Sequence, residues 1–289
     1  MIRVHLIDGT YELFRHFYGQ RDETTRTGTA AVRGVLSTVL QQIQDGGSHI
    51  AVATDHVIES FRNSMWTGYK TSAGMDPDLL SVFGLLEDAL VAMGVATFAM
   101  VELEADDALA TVAAVASDDD TVEQVVIWTP DKDLGQCVTE DERVIQVDRR
   151  AGKVINAQGV RDKFGVSPES IPDYLALVGD SADGFPGLPG FGAKTAAALL
   201  AHYGHIENIP DAPGQWEVTV RGGGTLASTL AQHRDLAYLF RDLATLRVDR
   251  SLLDNVKQLE WTGPTREFAT IAKEFDGYAV AQKAASLAG

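Results

Sequence analysis

Short apolar runs that stop at an acid recur along the first half of this chain, and that recurrence limits the folds open to it. Ile2–Ile7 ends at Asp8-Gly9, and Ser48–Thr54 ends at Asp55. Val95–Met100 is followed by Glu104-Ala-Asp-Asp107, and Gln124–Trp128 by Thr-Pro-Asp131-Lys-Asp133. Runs of this length, bounded by turn residues, read as buried strands. Between them the apolar spacing is helical: Tyr11–Tyr18, then Thr29–Gln44 with Val32, Val35, Leu36, Val39, Leu40 and Ile43, then about Pro77 to Met93, then a helix opened by Glu104. Arg143–Val147 and Lys153–Ile155 read as a hairpin closed by Arg149–Gly152. Strands alternating with helices predict an α/β layer fold with a mainly parallel sheet. The acids then fall past the C-terminal ends of strands, where open α/β sheets place their sites.

After Asn156 the pattern becomes purely helical: Gln158–Phe164, Pro168–Val178, Ala193–Tyr203, Thr225–Leu243 and a last stretch from about Thr265. The predicted division is an α/β domain over 1–165, a helical region over 166–250 and a helical tail over 251–289.

Composition narrows the function classes. The lone Cys137 excludes a disulfide framework. The N-terminus is too short and too broken by charge for a leader, and no run reaches the roughly 20 apolar residues of a membrane span. A soluble cytoplasmic protein is expected. A net charge of −17 argues against nucleic-acid binding by bulk charge. Local sign then matters: Arg149, Arg150, Lys153, Arg161 and Lys163 form one basic cluster, and Arg15, Arg21, Arg26 and Arg33 another. An ordinary solvated acidic surface would also account for much of the excess.

Nine carboxylates fall at turn positions: Asp8, Asp55, Glu104, Asp106, Asp107, Asp131, Asp133, Asp180 and Asp183. Gathered together they would repel one another unless cations sat among them. Hard oxygen ligands without a Cys or His pattern point to Mg²⁺ or Mn²⁺. Two such ions, about 4 Å apart, can activate water and stabilise the departing oxygen of a phosphodiester. Single acids also have plainer readings. Glu104, Asp106 and Asp107 suit a helix N-terminus, and Asp8, Asp131 and Asp133 suit turns.

Gly187-Leu-Pro-Gly-Phe-Gly-Ala-Lys-Thr195 alternates glycine with apolar residues before an alanine-rich helix. This is the form of a helix-hairpin-helix element, whose second helix aims backbone N–H groups at a phosphate. Its carbonyls can hold a monovalent cation such as K⁺, and Lys194 would add a side-chain contact. A plain glycine-rich turn between packed helices is the other reading. The spacing does not match a Walker A loop. Lys70, beside Tyr69, lies in Phe61–Gly74, a segment of weak periodicity and so read as mobile. The lysine could reach a phosphate and the tyrosine could stack on a base, or both could be exposed loop residues.

Taken in order, Leu-Ile-Asp8-Gly, Ala-Thr-Asp55, Phe61-Arg62 with Tyr69-Lys70, Glu104-Ala-Asp-Asp107, Pro-Asp131-Lys-Asp133, Leu-Val-Gly-Asp180-Ser-Ala-Asp183, Gly187–Thr195 and Leu243–Asp249 resemble the structure-specific 5′-nucleases. That flap endonuclease family includes phage 5′-exonucleases and the 5′-nuclease domain of bacterial DNA polymerase I. The resemblance implies a PIN/Rossmann-like sheet with a helical arch at about 61–80, and a helical region carrying the hairpin at 187–195. It implies DNA as the partner, in the form of a 5′-flap, nicked or 5′-ended duplex, and a free-standing monomer with no membrane partner is expected.

Residue by residue, the resemblance assigns Asp8, Asp55, Glu104 and Asp106 to a first metal region and Asp107, Asp131, Asp133, Asp180 and Asp183 to a second. Lys70 matches the family lysine that polarises the scissile phosphate, and Arg15 a basic residue close to the site. Gly187, Leu188, Gly190, Phe191, Gly192, Lys194 and Thr195, with Arg62 and Tyr69, would serve DNA binding. Three positions depart from the family pattern: Ala73 where an arginine is frequent, Pro130 ahead of Asp131, and Asp183-Gly-Phe-Pro-Gly187. None removes a metal ligand. A non-catalytic DNA-junction binder and a related metal-dependent ribonuclease are the rival readings.

Overall fold

The computed structural model describes residues 2–289. Its strands are β1 (Ile2–Asp8), β2 (His49–Asp55), β3 (Ala96–Met100), β4 (Val122–Trp128), β5 (Val144–Asp148) and β6 (Lys153–Ile155). The chain divides into two units, each with its own core. The first runs through Ile58 and takes in Ser72–Thr129 and Arg247–Gly289; the second comprises Glu59–Thr71 and Pro130–Leu246. The second unit thus includes β5 and β6 as well as the helices that follow them, and Arg247–Gly289 belongs to the first.

In the first unit β1 pairs in parallel with both β2 and β4, and β2 with β3. All seven residues of β2 are buried, as expected for a parallel strand covered on both faces. Parallel register brings the acids to one edge: Asp8 stands opposite Ala53, two residues before Asp55. Helix Gly9–Tyr18 starts directly from β1, with the Asp8 carboxylate accepting from Tyr11 N–H at 2.8 Å as its N-cap. Only glycine fits at position 9, because a Cβ there would lie 2.6 Å from the Val52 side chain.

Helix Gly28–Gln44 buries Val32, Val35, Leu36, Val39 and Leu40 on the predicted stripe. The helix predicted over 77–93 is two, Pro77–Ser81 and Phe83–Ala92, broken at Val82. The C-terminal residues complete this core through Phe268, Ala272, Phe275, Val280 and Ala284. No helix among the described residues is long and apolar enough to cross a membrane.

In the second unit β5 and β6 form the predicted antiparallel hairpin. Helices Ala157–Phe164, Ile171–Val178, Ala193–Tyr203, Gly223–Gln232 and Arg234–Ala244 surround Leu177, Phe185, Leu199, Leu230, Phe240 and Leu243. The single helix predicted over 225–243 is interrupted at His233. Phe240 stacks on Phe185 at 5.5 Å and meets the edge of Trp66 at 5.1 Å, so the short Glu59–Thr71 segment is anchored in this core.

Candidate metal centre and nucleic-acid interface

The acids of the first unit are met by backbone donors. Asp8 caps its helix with one oxygen and accepts from the Thr129 hydroxyl, at 2.9 Å, with the other. Asp55 Oδ1 accepts from Ala105 N–H at 2.8 Å, linking the end of β2 to the start of helix Ala105–Ser117. Glu104 and Asp107 form that helix's capping box. Asp107 is wholly buried; its Oδ2 accepts from Glu104 N–H at 2.9 Å and its Oδ1 from Arg247 N–H at 2.8 Å. Both oxygens thus have structural partners within the first unit, whereas Asp106, one position earlier on the helix, is half-buried. Arg15 places Nε and a terminal nitrogen on the buried Glu12, at 3.1 and 2.5 Å. That bond raises its pKa above the ordinary arginine value against the effect of burial.

The second unit treats its acids differently. Asp133, Asp180 and Asp183 bring carboxylate oxygens within 4.8 Å of one another, all three buried. Among the described residues, Asp133 Oδ1 has no hydrogen-bond partner. Burial, followed by the charges of Asp131, Asp183 and Asp180, pushes the Asp133 carboxyl well above the usual carboxylate range. Asp131 is exposed, and its side chain accepts from Asp133 N–H at 3.0 Å. The cations beside the cluster are Lys132, with Nζ 2.5 Å from Asp180 Oδ2, and Lys70, with Nζ 3.1 Å from Asp183 Oδ1. Sequence reasoning missed Lys132, although its place between Asp131 and Asp133 was a signal.

Asp180 and Asp183 are held by a tight turn. Asp180 and Phe185 exchange both backbone bonds, and Asp180 Oδ1 accepts from Ala182 N–H at 2.9 Å. The turn closes on itself at Gly179 and Gly187, both at positive φ. A Cβ on Gly187 would lie 2.3 Å from Gly179 N, so no larger residue fits. Clustered hard oxygens, one of them buried and without a partner among the described residues, suit a divalent metal ion. A divalent ion there would supply both the missing partner and the missing charge.

The segment carrying Lys70, read from its sequence as mobile, is hydrogen-bonded to other parts of the second unit. Asn63 Nδ2 donates to Lys70 O at 2.9 Å, Lys70 N–H to Asp183 O at 3.0 Å and Trp66 Nε1 to Gly184 O at 3.1 Å. Arg62, expected on DNA, is 1% exposed; it donates to Leu243 O and Thr245 O, at 2.8 and 3.1 Å, at the end of helix Arg234–Ala244. There its charge meets the negative end of the helix and satisfies carbonyls that would otherwise be orphaned. Tyr69, also expected on DNA, is 3% exposed and belongs to the same core. Neither offers a surface on which a base could stack.

The hairpin divides similarly. Leu188 and Phe191, expected to contact DNA, are buried in the core. They anchor the turn, with Leu188 N–H donating to Leu177 O at 2.9 Å and Phe191 N–H to Leu188 O at 3.2 Å. Gly187 is buried with them, while Gly190, Gly192 and Lys194 are exposed and Thr195 is half-buried. Gly190 adopts a φ of +82°, which an L side chain rarely takes. Gly192 caps helix Ala193–Tyr203 without a side-chain bond. The outward face is therefore glycine backbone, a helix N-terminus and one lysine.

One unit carries a parallel sheet with carboxylates at the ends of its strands, and the other carries helices, a glycine hairpin and a buried carboxylate cluster. Residues 3–165 match the "5′-3′ exonuclease, N-terminal resolvase-like domain" and residues 166–267 the "5′-3′ exonuclease, C-terminal SAM fold". The "5′-3′ exonuclease" of Aquifex aeolicus is 34% identical over 213 residues, covering 72% of each chain. DNA polymerase I of Pseudomonas aeruginosa is 35% identical over 274 residues, covering 91% of this chain and 29% of that protein. The chain thus spans less than a third of that relative. The bacteriophage T5 D15 flap endonuclease, solved as a pseudo-enzyme–product complex with DNA and metal ions, superposes with a TM-score of 0.67 at 17% identity, covering 97% of this chain and 99% of that one. The chain belongs to the 5′-3′ exonuclease family, and its fold is that of the T5 enzyme.

Proposed function

We propose that this chain is a 5′→3′ exonuclease and 5′-flap endonuclease that hydrolyses DNA phosphodiesters with Mg²⁺ or Mn²⁺, in the removal of flaps or primers during replication and repair. The observation that carries the reading is the buried Asp133–Asp180–Asp183 cluster with its unpartnered oxygen, in a chain of this family. Asp133, Asp180, Asp183 and the exposed Asp131 would hold ions of the second metal region; Asp8, Asp55, Glu104 and Asp106 would serve the first. When bound, the ions supply an activated water and charge for the departing oxygen.

The chain's own residues do the remaining work. Lys70 is tied at its backbone to Asp183, which sets its ammonium within reach of the acids. From there it would orient the scissile phosphate and oppose its developing charge. Arg15, fixed by Glu12, would steady a neighbouring phosphate with the part of its guanidinium left exposed. Gly190, Gly192, Lys194 and Thr195 would grip duplex backbone through N–H groups and one ammonium, with K⁺ a candidate ion at the hairpin carbonyls. Such contacts are local, so the net charge of −17 does not oppose them. Asp107 is proposed as scaffold rather than ligand, since both of its oxygens serve backbone donors.

The direct test is cleavage of a 5′-labelled flap substrate with Mn²⁺ or Mg²⁺, with and without chelator. Metal-dependent release of the flap is expected. Junction binding without any cleavage would instead favour a non-catalytic DNA-junction protein, and preferential cleavage of an RNA flap a ribonuclease.

A further inference from the structure

Three carboxylates sharing so small a buried volume need compensating positive charge, and in this structure a lysine stands closest. Lys132 Nζ lies 2.5 Å from Asp180 Oδ2, while the Asp180 side chain is 2% exposed. The Lys132 side chain, by contrast, is 31% exposed, so its head can turn to water by rotations of its own stem. Its backbone is pinned between Asp131 and Asp133, so it stays beside the cluster whichever way the head turns. Lys70, the other neighbour, sits farther from the acids, its Nζ 3.1 Å from Asp183 Oδ1, and the Asp183 side chain is itself more exposed than that of Asp180.

We propose that Lys132 is a built-in counter-ion for this cluster, and that a divalent cation enters by displacing its ammonium from Asp180. Metal uptake is then an exchange of one tethered charge for one ion, rather than simple addition. Two consequences follow from the geometry. The ion competes with a charge already in place, so Lys132 raises the metal concentration needed to fill the site. The same charge relieves repulsion among Asp133, Asp180 and Asp183, so Lys132 also supports the fold when chelator is present.

The proposal rests on the metal-dependent nuclease reading, and the test separates the two. Mn²⁺ is titrated calorimetrically, without DNA, into wild type, Lys132→Met, Lys132→Gln and Lys132→Arg, and thermal midpoints are recorded in EDTA. Removing the charge is expected to tighten Mn²⁺ binding about tenfold and to lower the midpoint in EDTA, with Lys132→Arg close to wild type. The glutamine variant keeps a polar head and guards against a folding defect peculiar to methionine. Equal or weaker Mn²⁺ affinity in both neutral variants would overturn the exchange, and if wild type still bound Mn²⁺ and cut flaps the nuclease reading would survive. Absence of Mn²⁺ uptake by wild type would overturn both.

Discussion

The two units carry the same kind of residue under different electrostatic conditions. In the first, Asp8, Asp55 and Asp107 accept from peptide N–H groups at helix starts, and fixed dipoles stabilise their charge. In the second, Asp133, Asp180 and Asp183 crowd together, two lysines provide the nearby positive charge, and one buried oxygen has no partner among the described residues. Asp107, with both oxygens on backbone donors, is built into the fold. Carboxylates of the second kind cost the fold something, a cost that the two lysines offset in part and a bound cation would offset further. The contrast is sharpest between Asp107, both of whose oxygens accept from backbone N–H groups, and Asp133, one of whose oxygens has no partner among the described residues, although both are buried.

The largest effect that could break this contrast is expected at Asp133. Asp133→Asn should lower flap cleavage about 10³-fold, the scale of several kcal/mol of lost transition-state stabilisation, while leaving the protein folded in EDTA. Single-turnover cleavage beside a thermal melt checks both halves. A smaller effect of the opposite kind is expected at Asp107. There Asp107→Asn loses one acceptor for a buried backbone N–H and should cost about 1–3 kcal/mol of stability, with Mn²⁺ affinity unchanged. Denaturant unfolding together with a metal titration would show whether Asp107 is scaffold; a large loss of Mn²⁺ affinity would make it a ligand.

Much of the fold and part of the site were legible in the sequence. Continuous apolar runs ending at Asp8 and Asp55 specify parallel strands, because both faces are covered and the chain must turn at their ends. The spacing of Gly187, Gly190 and Gly192 specifies a tight turn before a helix. What was not legible depends on direction and on distant partners. Arg62 is polar in a polar segment, and carbonyls of Leu243 and Thr245, far along the chain, draw it inward. Tyr69, Leu188 and Phe191 belong to motifs associated with DNA, yet their apolar surface fills the core that holds those motifs in shape. Asp106 and Asp107 are adjacent in sequence, but one helical step points them to different surroundings. The return of residues 247–289 to the first unit also depends on long-range packing, which local periodicity does not encode.

The pH dependence of stability tests the central claim most directly. The Asp133 pKa is raised in the folded protein above its unfolded value of about 4. The folded state therefore holds a proton there that the unfolded chain has released. This contribution to stability is fully present below the unfolded value and is lost as pH rises through the folded one. Bound metal favours the charged carboxylate and offsets that loss. The measurement is the thermal midpoint of wild type and Asp133→Asn across pH 4–8, in EDTA and in Mn²⁺. The account predicts that wild type in EDTA loses stability with rising pH relative to the variant, and that Mn²⁺ restores wild type far more than Asp133→Asn. Parallel pH profiles in EDTA with equal stabilisation of both proteins by Mn²⁺ would contradict it.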